Sequence, residues 1–193
     1  MRLEILKPNK ILNKAYFKQS LNRVDIELFK KNLIRLFARI NDSESEEHNK
    51  NIVSDFLKDT FYKTDYEINT AGRKDLVIHL GKSSSEPVAV IIEAKRPDDK
   101  AGMITNQKAN AKSVHELIHY YLHERFIKNN KEIRNLIITD IYQWYIFDST
   151  EFERYFFNNK QFVKTYQDWH NGILPSKNTD WFYQEIAKPF IDK

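Results

Sequence analysis

The sequence predicts an α/β domain, a mixed central sheet flanked by helices with further helices added at its amino and carboxyl ends. Three observations carry this reading. Two apolar runs, 75–80 and 88–95, flank Gly81-Lys82-Ser83-Ser84-Ser85-Glu86-Pro87, a polar segment punctuated by Gly and Pro, which is the pattern of a β-hairpin. Apolar residues at three- and four-residue steps mark helices before and after it. The resulting order, helix, three strands, helix, strand, sets a sheet between helical layers.

Taken in order, Asn22 is placed to cap a helix whose stripe is Ile26, Phe29, Leu33, Leu36, Phe37 and Ile40, and Asn41-Asp42-Ser43 ends it. A second helix is predicted over 44–62, opening on Glu46 and Glu47 and burying Ile52, Val53, Phe56, Leu57 and Phe61. Residues 66–69 read as a short strand, and Ala71-Gly72-Arg73-Lys74 as the turn into the hairpin. Pro97 ends the hairpin's second strand because it offers no ladder donor. A helix over 110–129 buries Val114, Leu117, Ile118, Tyr121 and Leu122, and strands at 136–139 and 144–148 follow. Ser149 or Thr150 is placed to cap a helix through 157, with two more over 160–171 and 179–187, whose aromatic residues are expected in the core.

A hairpin symmetric about Ser84 sets Asp75 across from Glu93, Val77 from Ile91 and His79 from Ala89. Leu76, Ile78, Val88, Val90, Ile92 and Ala94 then form a core face, and the opposite face gathers Asp75, Glu93 and Lys95. Facing carboxylates repel, so this pair calls for a compensating cation. Oxygen-only ligation suits magnesium or manganese better than zinc. Lys95 beside such an ion is expected to orient or deprotonate a water, or to stabilise charge on a phosphoryl oxygen.

Asp75 followed by Glu93-Ala94-Lys95 resembles the D…(D/E)xK signature of the PD-(D/E)XK nuclease superfamily, with Lys74 where the family name has Pro. The runs LNKAYFKQSLNR, SEEHNKNIVSDFLKDTFY, YEINTAGRKDLVIH, VIIEAKRP and WFYQEIAKPFID resemble the amino-terminal nuclease region of type IIG restriction enzymes, over nearly the whole chain. The resemblance implies a restriction-endonuclease-like αβββαβ core and a Mg²⁺-dependent endonuclease acting on double-stranded DNA, with Mn²⁺ as a substitute ion. Asp75 and Glu93 would bind the metal and Lys95 would assist cleavage. Further site residues would be Glu47, from the helix before the hairpin, and Glu116 with Tyr120, in the place of a Gln-x-x-x-Tyr element. Lys74 and Arg96 would reach DNA phosphates. The chain would divide into a basic helical arm (1–43), a nuclease core (44–150) and an aromatic-rich extension (151–193) leading towards a methyltransferase region. Partners would be methyltransferase and target-recognition domains, with a transient dimer for double-strand cleavage.

Bulk properties bound these expectations. A chain of 193 residues is long enough for one domain with a full core, and without Cys it has neither disulfides nor thiolate metal sites. No apolar run approaches membrane-spanning length and MRLEILKPNK lacks a signal-peptide core, so a cytoplasmic protein with no membrane partner is expected. Net charge is +4, but residues 1–40 hold ten Lys and Arg against three acids, a local +7 that leaves −3 for the remainder. That distribution suits either contact with the DNA backbone or a solvated helix face.

Two rival readings stand beside the nuclease. His115-Glu116-Leu117-Ile118-His119 matches H-E-x-x-H, in which histidines one helical turn apart bind zinc and the Glu is a general base. Leu122 and Arg125 stand where the extended metzincin pattern has Gly and His. The other alternative is a catalytically silent DNA-docking or scaffold domain of the same fold.

Overall fold

The structure, a computed structural model, describes residues 3–41, 44–70 and 76–192. Helices α1 (Pro8–Ile11), α2 (Arg23–Ala38) and α3 (Glu46–Leu57) precede strands β1 (Ile68–Asn69), β2 (Leu76–His79) and β3 (Val88–Ala94). Helix α4 (Lys112–Phe126) leads to β4 (Asn135–Thr139) and β5 (Trp144–Asp148), and α5 (Ser149–Phe152), α6 (Lys160–His170), α7 (Thr179–Phe182) and α8 (Lys188–Asp192) complete the chain. Single π-helical turns at Lys58–Tyr62, Glu153–Phe157 and Tyr183–Ala187 continue α3, α5 and α7.

Capping chemistry sets several boundaries. The Asn22 side chain accepts the Val24 amide at the start of α2, as its position predicts. Ser45 accepts the His48 amide, so α3 starts at Glu46 and not at 44, with Glu46 and Glu47 in the turn where the helix dipole favours acids. At α5 the cap is Asp148 and neither expected hydroxyl, because its carboxylate accepts both the Thr150 amide and the Thr150 hydroxyl, at 2.8 and 2.7 Å. The last helical segment runs on through Asp192, past the expected end at 187.

Among the described residues, five strands form one sheet in the order β1-β2-β3-β4-β5, antiparallel except for the parallel pair β3/β4. The pairs Leu76↔Ile92, Val77↔Ile91 and Ile78↔Val90 follow the register symmetric about Ser84. A bulge between Ile78 and His79 then pairs His79 with Val88 and not with Ala89, leaving Ala89 as the extra residue. The slip turns Val88 to the side of Val77 and Ile91, away from the face it was expected to share with Ile78 and Ile92. Asp75 and Lys74, with the predicted turn at 71–74, lie outside the described residues.

Both faces of the hairpin are buried, the one expected as core and the one that carries Glu93 and Lys95. Leu76, Ile78 and Ile92 pack against α2 and α3, while Val77 and Ile91, both 0 % exposed, pack beneath α4. Apolar runs on both sides of a strand are what burial between two helical layers requires. The α4 layer carries the aromatic core: Phe152, Phe156, Phe162, Tyr166, Trp169, Phe182 and Tyr183 share one cluster with α4 and the sheet. The α2 layer is thinner. Of the predicted stripe only Leu36 is fully buried, while Phe29 and Phe37 remain exposed. Helix α2 is tied to α3 and the turn after it by Arg39–Asp55 at 2.7 Å, Arg35–Asp59 at 3.0 Å and the Asn32 amide donating to Thr60 Oγ1 at 3.2 Å. Two cations of the basic arm are thus spent inside the chain. Among the described residues no helix is long and apolar enough to cross a membrane.

Candidate functional site

Residues two apart on a strand share a face, so β3 and the residue after it turn Glu93 and Lys95 together towards α4. The Lys95 amide donates to Thr139 O at 2.8 Å and anchors this end of β3 to β4. Helix α4 supplies Glu116. The Lys95 ammonium lies 2.5 Å from Glu93 Oε1, 2.7 Å from Glu116 Oε2 and 3.9 Å from Glu46 Oε2, the last contributed by the first turn of α3. Glu93 is 1 % exposed and Lys95 4 %, so the cluster is a buried ionic knot. Its outer members are paired towards solvent, Glu46 with Lys50 at 3.2 Å and Glu116 with Lys112 at 3.8 Å.

Burial alone pulls the Lys95 pKa down, but the Glu93 and Glu116 carboxylates outweigh it and the net displacement is upward. Lys95 is a fixed cation in this state, which favours charge stabilisation over the proton abstraction also expected of it. Tyr183, in the π turn after α7, borders the same charges: burial raises its pKa first, and Glu116 and Glu93 raise it further, so its hydroxyl stays protonated.

The structure therefore joins Glu93, Lys95 and Glu116 and adds Glu46 and Tyr183. Glu47 is not brought to the cluster. It is exposed and lies 3.9 Å from Lys50, because one residue along a helix rotates the side chain by about 100°. Tyr120 is buried one turn beyond Glu116, in a cleft at the hairpin-turn end. Arg96 is partly exposed and paired with Asp98 at 3.0 Å. Asp75 and Lys74 are outside the described residues. Sequence reasoning passed over Glu46 because its neighbour is chemically identical. Tyr183 is about ninety residues from Glu93 in the chain and leaves no local signal.

The H-E-x-x-H residues diverge. His115 Nε2 meets Asn110 Oδ1 at 2.5 Å, and its pKa is lowered to about 4 by burial and by the Lys188 charge. His119 sits among aromatic rings, 5.3 Å from Trp169 and 5.6 Å from Phe182. Glu116 turns to Lys95. Among the described residues, no three His, Asp or Glu converge on a point that would hold a metal ion.

At the opposite end of the sheet lies a cleft of about 820 Å³, lined by the hairpin turn and by His79, Tyr120, His123, Glu124 and Asn130. Its polar groups are cross-linked. His79 meets Glu86 O at 2.7 Å and Asn69 Oδ1 at 3.2 Å, and the Asn130 amide donates to Val88 O and Glu124 Oε2 at 2.8 and 2.9 Å.

A family described as a domain of unknown function (DUF7149) matches residues 6–193, and the chain belongs to that family. Neither a curated protein nor a solved structure matches it.

Proposed function

We propose that this chain is a Mg²⁺-dependent DNA endonuclease domain with a restriction-endonuclease-like core, the cleavage module of a type IIG-like restriction-modification enzyme. The observation that carries the reading is the Lys95 ammonium buried between Glu93 and Glu116 at the carboxyl end of the central strand. A structural salt bridge on a sheet surface is exposed and contributes little. Here two buried carboxylates share one buried cation, which is costly unless the site has work for the charges. The αβββαβ order within the mixed sheet supports the same reading.

The donor chemistry fits a hard divalent cation, since Glu93 and Glu116 offer only oxygen and Asp75 directly precedes β2, which pairs with β3. Glu93 would hold the ion together with Asp75. When bound, Mg²⁺ supplies Lewis-acid polarisation of a phosphoryl oxygen and lowers the pKa of water. Lys95 presents a positive charge to the oxygen that becomes more negative as the phosphodiester is attacked. Glu116 holds the Lys95 side chain in place, and Glu46 extends the acidic rim towards solvent.

Incubation with supercoiled plasmid and Mg²⁺ or Mn²⁺ tests the reading. Nicking that EDTA stops, and that Asp75→Ala and Glu93→Gln abolish, is the expected result. Binding of DNA without cleavage under every metal condition would favour the silent docking domain. One zinc per chain by elemental analysis, lost on joint replacement of His115 and His119, would favour the peptidase reading. The partners proposed with this function are methyltransferase and target-recognition domains, with a transient dimer for double-strand cleavage.

A further inference from the structure

The turn between β4 and β5 holds a strained residue beside the ionic knot. Ile141 has φ +77°, a left-handed conformation that a β-branched side chain rarely adopts. The surrounding bonds enforce it. Thr139 Oγ1 accepts the Ile141 amide at 2.9 Å, Asp140 Oδ1 accepts the Gln143 amide at 2.7 Å, and the Trp144 indole donates to Ile141 O at 2.9 Å. The Ile141 side chain is driven into the α2–α3 core at 3 % exposure, and the next residue, Tyr142, is turned outward at 59 %. Glycine at 141 would relax the backbone, but it would release the anchor that orients Tyr142.

Tyr142 stacks on Phe37 of α2, with ring centroids 5.9 Å apart and planes 13° from parallel, and Phe37 is itself 46 % exposed. The pair stands at the end of the sheet that carries the knot. Thr139, which starts the turn, accepts the Lys95 amide. The carboxyl end of α2 is tied to the first turn of α3 by His48 Nε2 meeting Arg39 O at 3.1 Å. Exposed Lys100, 3.9 Å from Asp140, borders the turn, and partly exposed Arg96, paired with Asp98, follows Lys95 in the chain. A rigid turn, a flat exposed aromatic pair and flanking cations beside a buried charge cluster match the chemistry of a nucleobase and its phosphate.

We infer that the Tyr142–Phe37 pair is a nucleobase-stacking platform that positions DNA against the Glu93–Lys95 site, an inference that rests on the nuclease reading. Fluorescence anisotropy of a short labelled duplex and of its single strand, with Ca²⁺ in place of Mg²⁺ and over a salt series, tests it. Tyr142→Ala should weaken binding roughly 5- to 100-fold, the range expected for loss of one base stack, while Tyr142→Phe should bind as wild type. Phe37→Ala should weaken binding less. The slope of log affinity against log salt should be the same for all, because no phosphate contact is removed. Unchanged melting temperatures would confirm that the exposed substitutions leave the fold intact. Wild-type affinity in Tyr142→Ala with plasmid nicking preserved would overturn the platform and leave the nuclease standing. A shallower salt slope would overturn it in favour of a backbone contact. A wild-type chain that neither binds nor nicks DNA would overturn both.

Discussion

The two ends of β3 offer different candidates for a site. The hairpin-turn end has the volume, about 820 Å³, and three histidines nearby, but His79 and Asn130 are bound into the backbone of the turn and of β3. The carboxyl end gathers charge from three elements around one buried ammonium. Polar groups that satisfy backbone partners brace a fold. Buried ions paired with one another keep a charge balance that a ligand can alter, and this distinguishes the two ends better than cavity size does.

The largest expected effect separates the ends by activity. If the proposed function holds, Glu93→Gln should lower plasmid nicking by about 1,000-fold or more by removing the charge proposed to hold the metal, while Asn130→Ala at the turn end should leave it close to wild type. A loss of nicking in Asn130→Ala that exceeds its loss of stability would move the site to the cleft.

Stability comes next. Lys95→Ala leaves Glu93 and Glu116 facing each other without their shared cation, and metal-free protein should lose about 3–5 kcal/mol in urea unfolding. Mg²⁺ should return part of it by supplying the missing charge. Asn130→Ala should cost about 1–3 kcal/mol for the Val88 and Glu124 acceptors it abandons, and Mg²⁺ should make no difference.

His115 predicts a pH dependence of comparable size. Its folded pKa of about 4 lies below the ordinary histidine value, so the unfolded chain takes up the proton first as pH falls. Its contribution should be fully present above about pH 6.5 and lost progressively towards pH 4, by roughly 3 kcal/mol. Urea midpoints measured across that window should show the slope, and His115→Gln should flatten it. A slope that persists in His115→Gln would assign it to another group.

The smallest effect belongs to the arm. Arg35→Ala and Arg39→Ala break the ion pairs to Asp59 and Asp55, which are partly exposed, and each should shift unfolding by less than about 1 kcal/mol. A larger loss from either would show that α2 depends on its charges more than on Leu36.

By itself the sequence determined what local rules control. The register Leu76↔Ile92 follows from a polar turn centred on Ser84, the Asn22 cap from its place before an amphipathic stripe, and the joint direction of Glu93 and Lys95 from the two-residue period of a strand. Only the tertiary structure decided which side chains met them. The bulge at Ile78/His79 reassigned Val88, and the roll of α3 presented Glu46 in place of Glu47. Packing of α4 over the hairpin brought Glu116 to Lys95 and turned His119 into the aromatic layer, so the literal H-E-x-x-H spacing assembled no ligand set among the described residues. Periodicity specifies a residue's direction relative to its own element. The rotation of one element against another is set by side chains distant in sequence, and those contacts become readable only when the chain is folded.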